Sequence, residues 1–500
     1  METVIVDGGP LTLEQVASVA MGRASAAPVD DLDERLAPAR SVVNEVVASE
    51  EVVYGITTGF GALATSHIGK SETEALQYNL IRSHAAGVGD PVPDEVVRAM
   101  LLLRARTLSQ GHSGVRPVVV RKLLELLEKG MLPVVPWQGS VGASGDLAPF
   151  AHLALPLIGE GEVRIDGEIR ATDQTSFEPV ELLTKEGLSL LNGTEGMAAM
   201  GAIAHHHGSN LVIVADIAAA LSVEALLGSA RPFLPEIHAL RPHAGQIASA
   251  RRIASLLEGS EIVASHTDDF QHAVQDAYSL RCAPQVHGAV SDTLDHMERV
   301  LTIEVGSVVD NPIVFPKTGE VLSGGNFHGE PLAFVLDFAA IALSELATIS
   351  ERRTDRILDP TRSQGLPPFL AANPGVESGY MITQYVQAAL VAENRVLSHP
   401  ASVDSVPTSA GQEDHVSMGW GAGKKLLEVV RNVRSVLAIE ILCGVQGIEY
   451  RRPLVAGDGT TRVAAEVRRH VPPLEGDRSL AADIETVAAM IEDGELAALV

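Results

Sequence analysis

Apolar residues recur three and four positions apart over most of this chain, the spacing of helices with one buried face. The pattern predicts helices over residues 71–86, 94–110 and 436–445, and long helical segments from about residue 195 onward. Strand signals are few: a short strand over residues 3–6, closed by a turn at Gly8, Gly9 and Pro10, and a hairpin over 163–169 centred on Asp166 and Gly167. Thr12, followed by Glu14 and Gln15, has the form of a helix start. Residues 38–49 read as an amphipathic helix in which Pro38 is tolerable only in the first turn. Glycine breaks the pattern twice. Residues 52–64 hold three glycines and two threonines and read as a loop; residues 139–145 form a second glycine-rich loop. The second runs into a helix over 147–157 with Pro149 in its first turn, where a missing N–H costs little. The expected fold is mainly α: a mixed N-terminal part over residues 1–200, then a long central helical bundle over 201–500.

The most apolar long stretches, residues 211–227 and 332–349, each carry two acids inside them: Asp216 and Glu224, Asp337 and Glu345. They are expected as buried core helices rather than membrane spans. Composition narrows the possibilities. Hydrophobic residues make up 46% of the 500 and charged residues 20%, as in a globular chain. The net charge of −27 argues against partners such as nucleic acid or an anionic membrane. Aromatics are only 4%, so the core must be largely aliphatic. Two cysteines, Cys282 and Cys443, exclude a disulfide scaffold and a cysteine-rich zinc site and fit a reducing cytoplasm. The first residues have neither the basic nor the long apolar region of a signal peptide, and a cytoplasmic location is expected.

The string GSVGASGDLAP at residues 139–149 has several readings. Small residues before a helix make a tight turn, with Ser144 or Asp146 as its N-cap. A phosphate cradle is a second option, but Asp146 stands where a P-loop needs lysine, and the GxxGxxG spacing is not a dinucleotide fingerprint. A third treats Ala143, Ser144 and Gly145 as a unit. The unhindered Gly145 nitrogen can attack the lightly shielded Ala143 carbonyl, and loss of water closes a five-membered ring. Dehydration of Ser144 then leaves an exocyclic methylene, a strong electrophile made from the chain itself.

That string resembles the signature of the aromatic amino acid ammonia-lyases, in which Ala-Ser-Gly cyclises to 4-methylidene-imidazol-5-one. The resemblance extends through VYGITTGFG at 53–61, SHAAG at 83–87, LNGT at 191–194, QDAYSLRCAPQ at 275–285, DNP at 310–312, GNFHG at 325–329 and QEDHVSM at 412–418. It implies a mostly α fold with a fumarase/aspartase-like helical core, a homotetramer, and active sites shared between subunits. Ammonia loss from an α-amino acid needs an electrophile and a base for the β-proton. Pyridoxal phosphate would need a Schiff-base lysine, and the chain has seven lysines with no obvious phosphate cup, so no such cofactor is expected. The ring from Ala143, Ser144 and Gly145 supplies the electrophile instead. By resemblance Tyr54 is the base; a phenol has a pKa of about 10 and needs help to act near neutrality. Arg281 is the partner for the substrate carboxylate. Tyr278 and Asn192 hold the ring oxygen or the substrate amine, Gln275 orders the same network, and Phe327 packs beside the ring.

Ser83 with His84, and Gln412 with Glu413, resemble the histidine-using branch rather than the phenylalanine-using one. His84 and Glu413 can offer an imidazole both donor and acceptor, while a benzyl group would leave them buried and unpaired. The resemblance therefore implies L-histidine as substrate and trans-urocanate and ammonia as products, the opening of histidine catabolism. An aminomutase, returning ammonia to the β-carbon, is the closest rival. A fumarase/aspartase-type lyase would need a Met-Pro-x-Lys-x-Asn run that is missing. A catalytically dead binding protein would have lost ring-forming residues that are all present. A metal hydrolase could use His205, His206 and His207, or His266, Asp268, Asp269 and His272. Consecutive helical residues point about 100° apart, however, and the second set lacks HExxH spacing. No residue set is assigned to a metal. Gly411, before Gln412, departs from the larger residue usual there, and Trp137 and Trp420 flank two motifs without a readable role.

Overall fold

The computed structural model describes residues 2–49, 52–58, 72–266 and 275–500, and it is mostly helical, as expected. The chain groups into two units, each drawn from three stretches. One is Met1–His206, Glu298–Asp337 and Pro400–Lys424; the other is His207–Met297, Phe338–His399 and Lys425–Val500.

Among the described residues, the first unit contains all the sheets. Strand Glu2–Val6 pairs in parallel with Ala24–Pro28, and helix Leu13–Ala20 makes the crossover between them. Thr12 caps that helix: its hydroxyl accepts from the Gln15 N–H, while the Gln15 side chain accepts from the Thr12 N–H. Asp166 and Gly167 both take positive φ, 50° and 83°, joining antiparallel strands Glu162–Ile165 and Glu168–Ala171 in the predicted hairpin. Strand Leu132–Pro133 adds to its other edge.

Pro38 departs from expectation. The helix begins at Leu32, not at the proline, and runs to Ser49 with Pro38 in its interior. Asp33 and Glu34 lie in its true first turn, where carboxylates suit the exposed amide end. Its buried face, Ala39, Val42, Val43 and Val46, packs with Ile56 and Val314. That contact anchors the turn carrying Tyr54. Helices Thr73–His84 and Asp94–Ser109 match their predicted spans closely. Helix Leu147–Ala154 has Pro149 in its first turn and tightens into a 3₁₀ turn through Ile158.

The second unit is helical throughout among its described residues. Among the described residues two helices, Glu195–Ala225 and Glu330–Leu358, are long and apolar enough to cross a membrane, yet their apolar windows are 83% and 61% buried within the protein. Asp216, Glu224 and Asp337 inside them have partners, and Glu345 is exposed. Asp216 accepts from Ser249 and Arg252 and faces His287 Nδ1 at 2.7 Å; Glu224 accepts from the Ser260 hydroxyl and the Gly457 N–H, both at 2.6 Å. In the first unit Asp337 accepts from the Ser402 N–H at 2.8 Å. A paired carboxylate is tolerable in a core helix; an unpaired one is not.

Candidate active site

Strand Pro136–Gln138 delivers the chain to the Gly-Ser loop and helix Leu147–Ala154 takes it away. Between them Ser144 and Gly145 both adopt left-handed backbone, φ 49° and 73°. A Cβ at residue 145 would collide with the Gly193 carbonyl, so the position requires glycine for space as well as for φ. The turn folds the chain back across Ala143–Gly145 and leaves the Gly145 nitrogen unencumbered by a side chain. These residues fit a cyclised Ala-Ser-Gly.

Asp146 occupies the N-cap position of the following helix, but its side chain makes no cap. Its own N–H donates to Gly193 O at 2.9 Å, its Oδ1 accepts from Ser140 at 2.8 Å, and its Oδ2 accepts from the Met197 N–H at 3.0 Å. Burial pushes this carboxyl up to about 7, against the hydrogen bonds that favour its ionised form. The loop is braced from the QEDHVSM segment. Ser417 donates to Gly142 O at 3.3 Å, and the Met418 N–H donates to Val141 O at 2.8 Å. The tryptophans unread in the sequence belong to the same brace: Trp420 Nε1 donates to Trp137 O at 2.6 Å, and the two rings meet edge to face.

The segment that braces the loop also carries Glu413. The Ser144 hydroxyl lies 3.4 Å from Glu413 Oε1, and Glu413 Oε2 accepts from Thr408 at 2.6 Å. His84, half-buried at the end of helix Thr73–His84, places Nδ1 2.9 Å from Leu80 O, which fixes the Nδ1–H tautomer and leaves Nε2 as acceptor. Burial holds the His84 imidazole below its ordinary pKa, and Glu413 is close enough to oppose that shift. Ser144, Glu413 and His84, far apart in sequence, thus form one neighbourhood.

Asn192 lies behind the loop, buried, its Nδ2 donating to Asn311 O at 2.9 Å while its Oδ1 has no hydrogen-bond partner. Arg104, a residue without a sequence signal, holds this turn: Nη1 donates to the carbonyls of Asn192 at 2.8 Å and Ser189 at 3.2 Å, and Nη2 to Glu195 at 2.6 Å. The DNP motif is held by a fully buried pair, Lys185 Nζ to Asp310 Oδ2 at 2.9 Å. Neither group could have been found from periodicity, since each partner is more than 80 residues away in sequence. The Tyr54 turn approaches the same place, because a Cβ on Gly55 would lie 2.8 Å from both Leu188 and Pro312. Phe327 is half-buried in the GNFHG segment, which packs at Gly329 against Met197 and Ser417.

Gln275, Tyr278 and Arg281 belong to the second unit. Tyr278 opens the short helix Tyr278–Arg281 and is 73% exposed. The Arg281 guanidinium stacks over its ring at 4.5 Å and donates through Nε to Asp276 O at 3.0 Å. Residues 59–61 of the VYGITTGFG motif, and Asp268, Asp269 and His272, lie outside the described residues. His205, His206 and His207 follow one another on helix Glu195–Ala225, and His206 Nδ1 lies 3.4 Å from Glu14.

The sequence profile of the aromatic amino acid lyases matches residues 11–469. Histidine ammonia-lyase of Anaeromyxobacter sp. (strain K) is 51% identical over 508 residues, covering 99% of this chain and 100% of that one. Histidine ammonia-lyase of Gloeobacter violaceus is 50% identical, covering 99% and 96%. Among solved structures, histidine ammonia-lyase from Trypanosoma cruzi is 41% identical with a TM-score of 0.91, covering 99% and 94%. Tyrosine aminomutase from Streptomyces globisporus is 39% identical with a TM-score of 0.93, covering 99% and 98%.

Proposed function

The chain belongs to the aromatic amino acid lyase family, and from that membership we propose that it deaminates L-histidine, without oxidation, to trans-urocanate and ammonia. The observation that supports the substrate is the neighbourhood of Ser144, Glu413 and His84: the serine of the ring-forming triplet lies 3.4 Å from Glu413, which is itself close enough to His84 to act on its imidazole. The methylidene-imidazolone made from Ala143, Ser144 and Gly145 supplies the electrophile, and no pyridoxal phosphate is involved.

The remaining work falls to ordinary side chains. His84 Nε2 and the Glu413 carboxylate hold the substrate imidazole. The buried, unpartnered Asn192 Oδ1 offers an acceptor for a substrate N–H. Tyr54 Oη takes the β-proton. Arg281 binds the carboxylate in a two-pronged way, with Tyr278 and Gln275 completing that end, and Phe327 walls the site. A homotetramer sharing its active sites, working in the cytoplasm, completes the proposal.

The test is purified protein with L-histidine, following urocanate absorbance and free ammonia together. Equal growth of both is expected, and a Ser144→Ala variant that turns over at the wild-type rate would overturn the mechanism. The likeness to an aminomutase supports one second reading, in which the ammonia returns at the β-carbon. β-Histidine among the products would establish it.

A further inference from the structure

Beside the site, but absent from the roles above, three side chains converge on one point. His328 and Glu330 sit at the start of helix Glu330–Leu358, and His415 lies on the QEDHVSM segment. One ligand atom from each lies within 4.8 Å of the others. The two imidazoles face each other with centroids 5.7 Å apart and planes tilted by 31°. Glu330 Oε2 is buried and has no hydrogen-bond partner, an unmet acceptor beside two imidazoles.

We propose that His328, Glu330 and His415 bind a divalent transition-metal ion of the zinc class. The donor set is chemically apt. Two imidazoles and a carboxylate are a recurrent three-ligand zinc set that leaves a fourth position for water, and they favour Zn²⁺ or Co²⁺ over Mg²⁺ or Ca²⁺, which prefer all-oxygen shells. The tautomer is apt as well. His328 Nε2 lies 3.3 Å from His415 O, so a proton on Nε2 donates to that carbonyl and leaves the Nδ1 lone pair for the ion. That lone pair otherwise meets the Glu330 N–H at 3.3 Å, a long bond that a metal bond would replace. Ligands of a tetrahedral zinc sit about 3.4 Å from one another, given bonds of about 2.0–2.1 Å. Small side-chain rotations close the present spacing to that value.

Position gives the ion a consequence. Phe327 directly precedes one ligand, and Glu413 lies two residues before another. A bound ion would therefore tie the Glu413 segment to the start of helix Glu330–Leu358. A second cluster, Glu466, His470 and Glu495, is different: Glu466 is already taken by Arg469, and His470 and Glu495 are exposed. It serves as the control.

The experiment uses tag-free full-length protein stripped with chelator, with histidine and urocanate excluded because both bind metals. Co²⁺ is titrated while its visible absorption is followed, then displaced with Zn²⁺. Saturable binding of one ion per chain is expected, unaffected by excess Mg²⁺. His415→Ala removes only an exposed ring, and His328→Gln is the second variant; each should weaken binding by about tenfold or more, as loss of a ligand does. His470→Ala should leave it unchanged. Absence of saturable binding, equal competition by Mg²⁺, or wild-type affinity in both His415→Ala and His328→Gln would overturn the site. The outcome is separate from the assigned reaction, because a chain that failed to deaminate histidine would still be expected to bind the ion.

Discussion

Each unit buries a guanidinium–carboxylate pair, and the two are built differently. In the second unit Arg353 donates to both oxygens of Glu440, which also accepts from Ser222 at 2.6 Å. The remaining Arg353 nitrogen faces Ser279 O at 3.3 Å and His287 Nε2 at 3.4 Å, and His287 leans on Asp216. That network is saturated. In the first unit Arg104 divides its donors between Glu195 and two loop carbonyls, and its Nε is left without a partner, as is the nearby Asn192 Oδ1. Close by are left-handed backbone at Ser144 and a carboxyl, Asp146, held near neutrality by burial. Saturated polar networks specify a core. Strain and unmet polar groups are tolerated where a site must later hold something else.

The largest effects should separate the two regions. Ser144→Ala should lose activity on the order of 10³-fold or more, as when a covalent-catalysis residue is removed. Its intact mass should match its own sequence, whereas the wild type should be two waters lighter than its sequence, one lost in ring closure and one from the Ser144 hydroxyl; its unfolding midpoint should be nearly unchanged. Arg353→Ala should cost about 3–5 kcal/mol of stability, read as a lower denaturant midpoint, because it strands a buried carboxylate. Equal midpoint losses in both variants would break the contrast.

Glu413→Gln comes next. Losing one charge-assisted hydrogen bond to the imidazole should lower kcat/KM for histidine about 10- to 100-fold, and wild-type kinetics would remove Glu413 from substrate recognition. Asp146 sharpens the comparison through pH. Its carboxyl is pushed up to about 7 in the fold from an ordinary 3.8, so the folded state holds a proton that the unfolded chain has already released. Stability from this group is present at low pH and is lost as pH rises through about 7. Asp146→Asn should flatten the fall in unfolding midpoint between about pH 4 and 7; an unchanged slope would refute the assignment. The smallest effect is Trp420→Phe, which removes the bond to Trp137 O at a cost of about 1 kcal/mol. Denaturant unfolding would show it, and a loss of several kcal/mol would mean that the brace does more than hold one carbonyl.

The site was legible where chemistry demands particular residue types. Ala143, Ser144 and Gly145 can be read as a ring-forming triplet because they combine a lightly shielded carbonyl, a dehydratable serine and an unhindered nitrogen. Glu413 was singled out from a motif, not from periodicity, and its place 3.4 Å from the Ser144 hydroxyl emerged only from the fold. The hairpin at Asp166 and Gly167 and the Thr12 cap were legible because local rules decide them. Pro38 was not, since tertiary packing of Val42, Val43 and Val46 carries the helix past a local penalty. Arg104, the Lys185–Asp310 pair and the Trp137–Trp420 brace were hidden for a different reason. Their roles exist only through partners brought together by the fold. Asp146, which with Ser144 was an N-cap candidate only in the tight-turn reading of the loop, spends its side chain on Ser140 and Met197.

The most direct test offers purified protein L-histidine and L-phenylalanine in competition and follows urocanate and cinnamate in one reaction. With His84 and Glu413 reading an imidazole, urocanate should form and cinnamate should lag by about 10⁴-fold, the discrimination of a site whose polar groups the wrong substrate leaves unpaired. Cinnamate forming as fast as urocanate, or without it, would contradict the assignment.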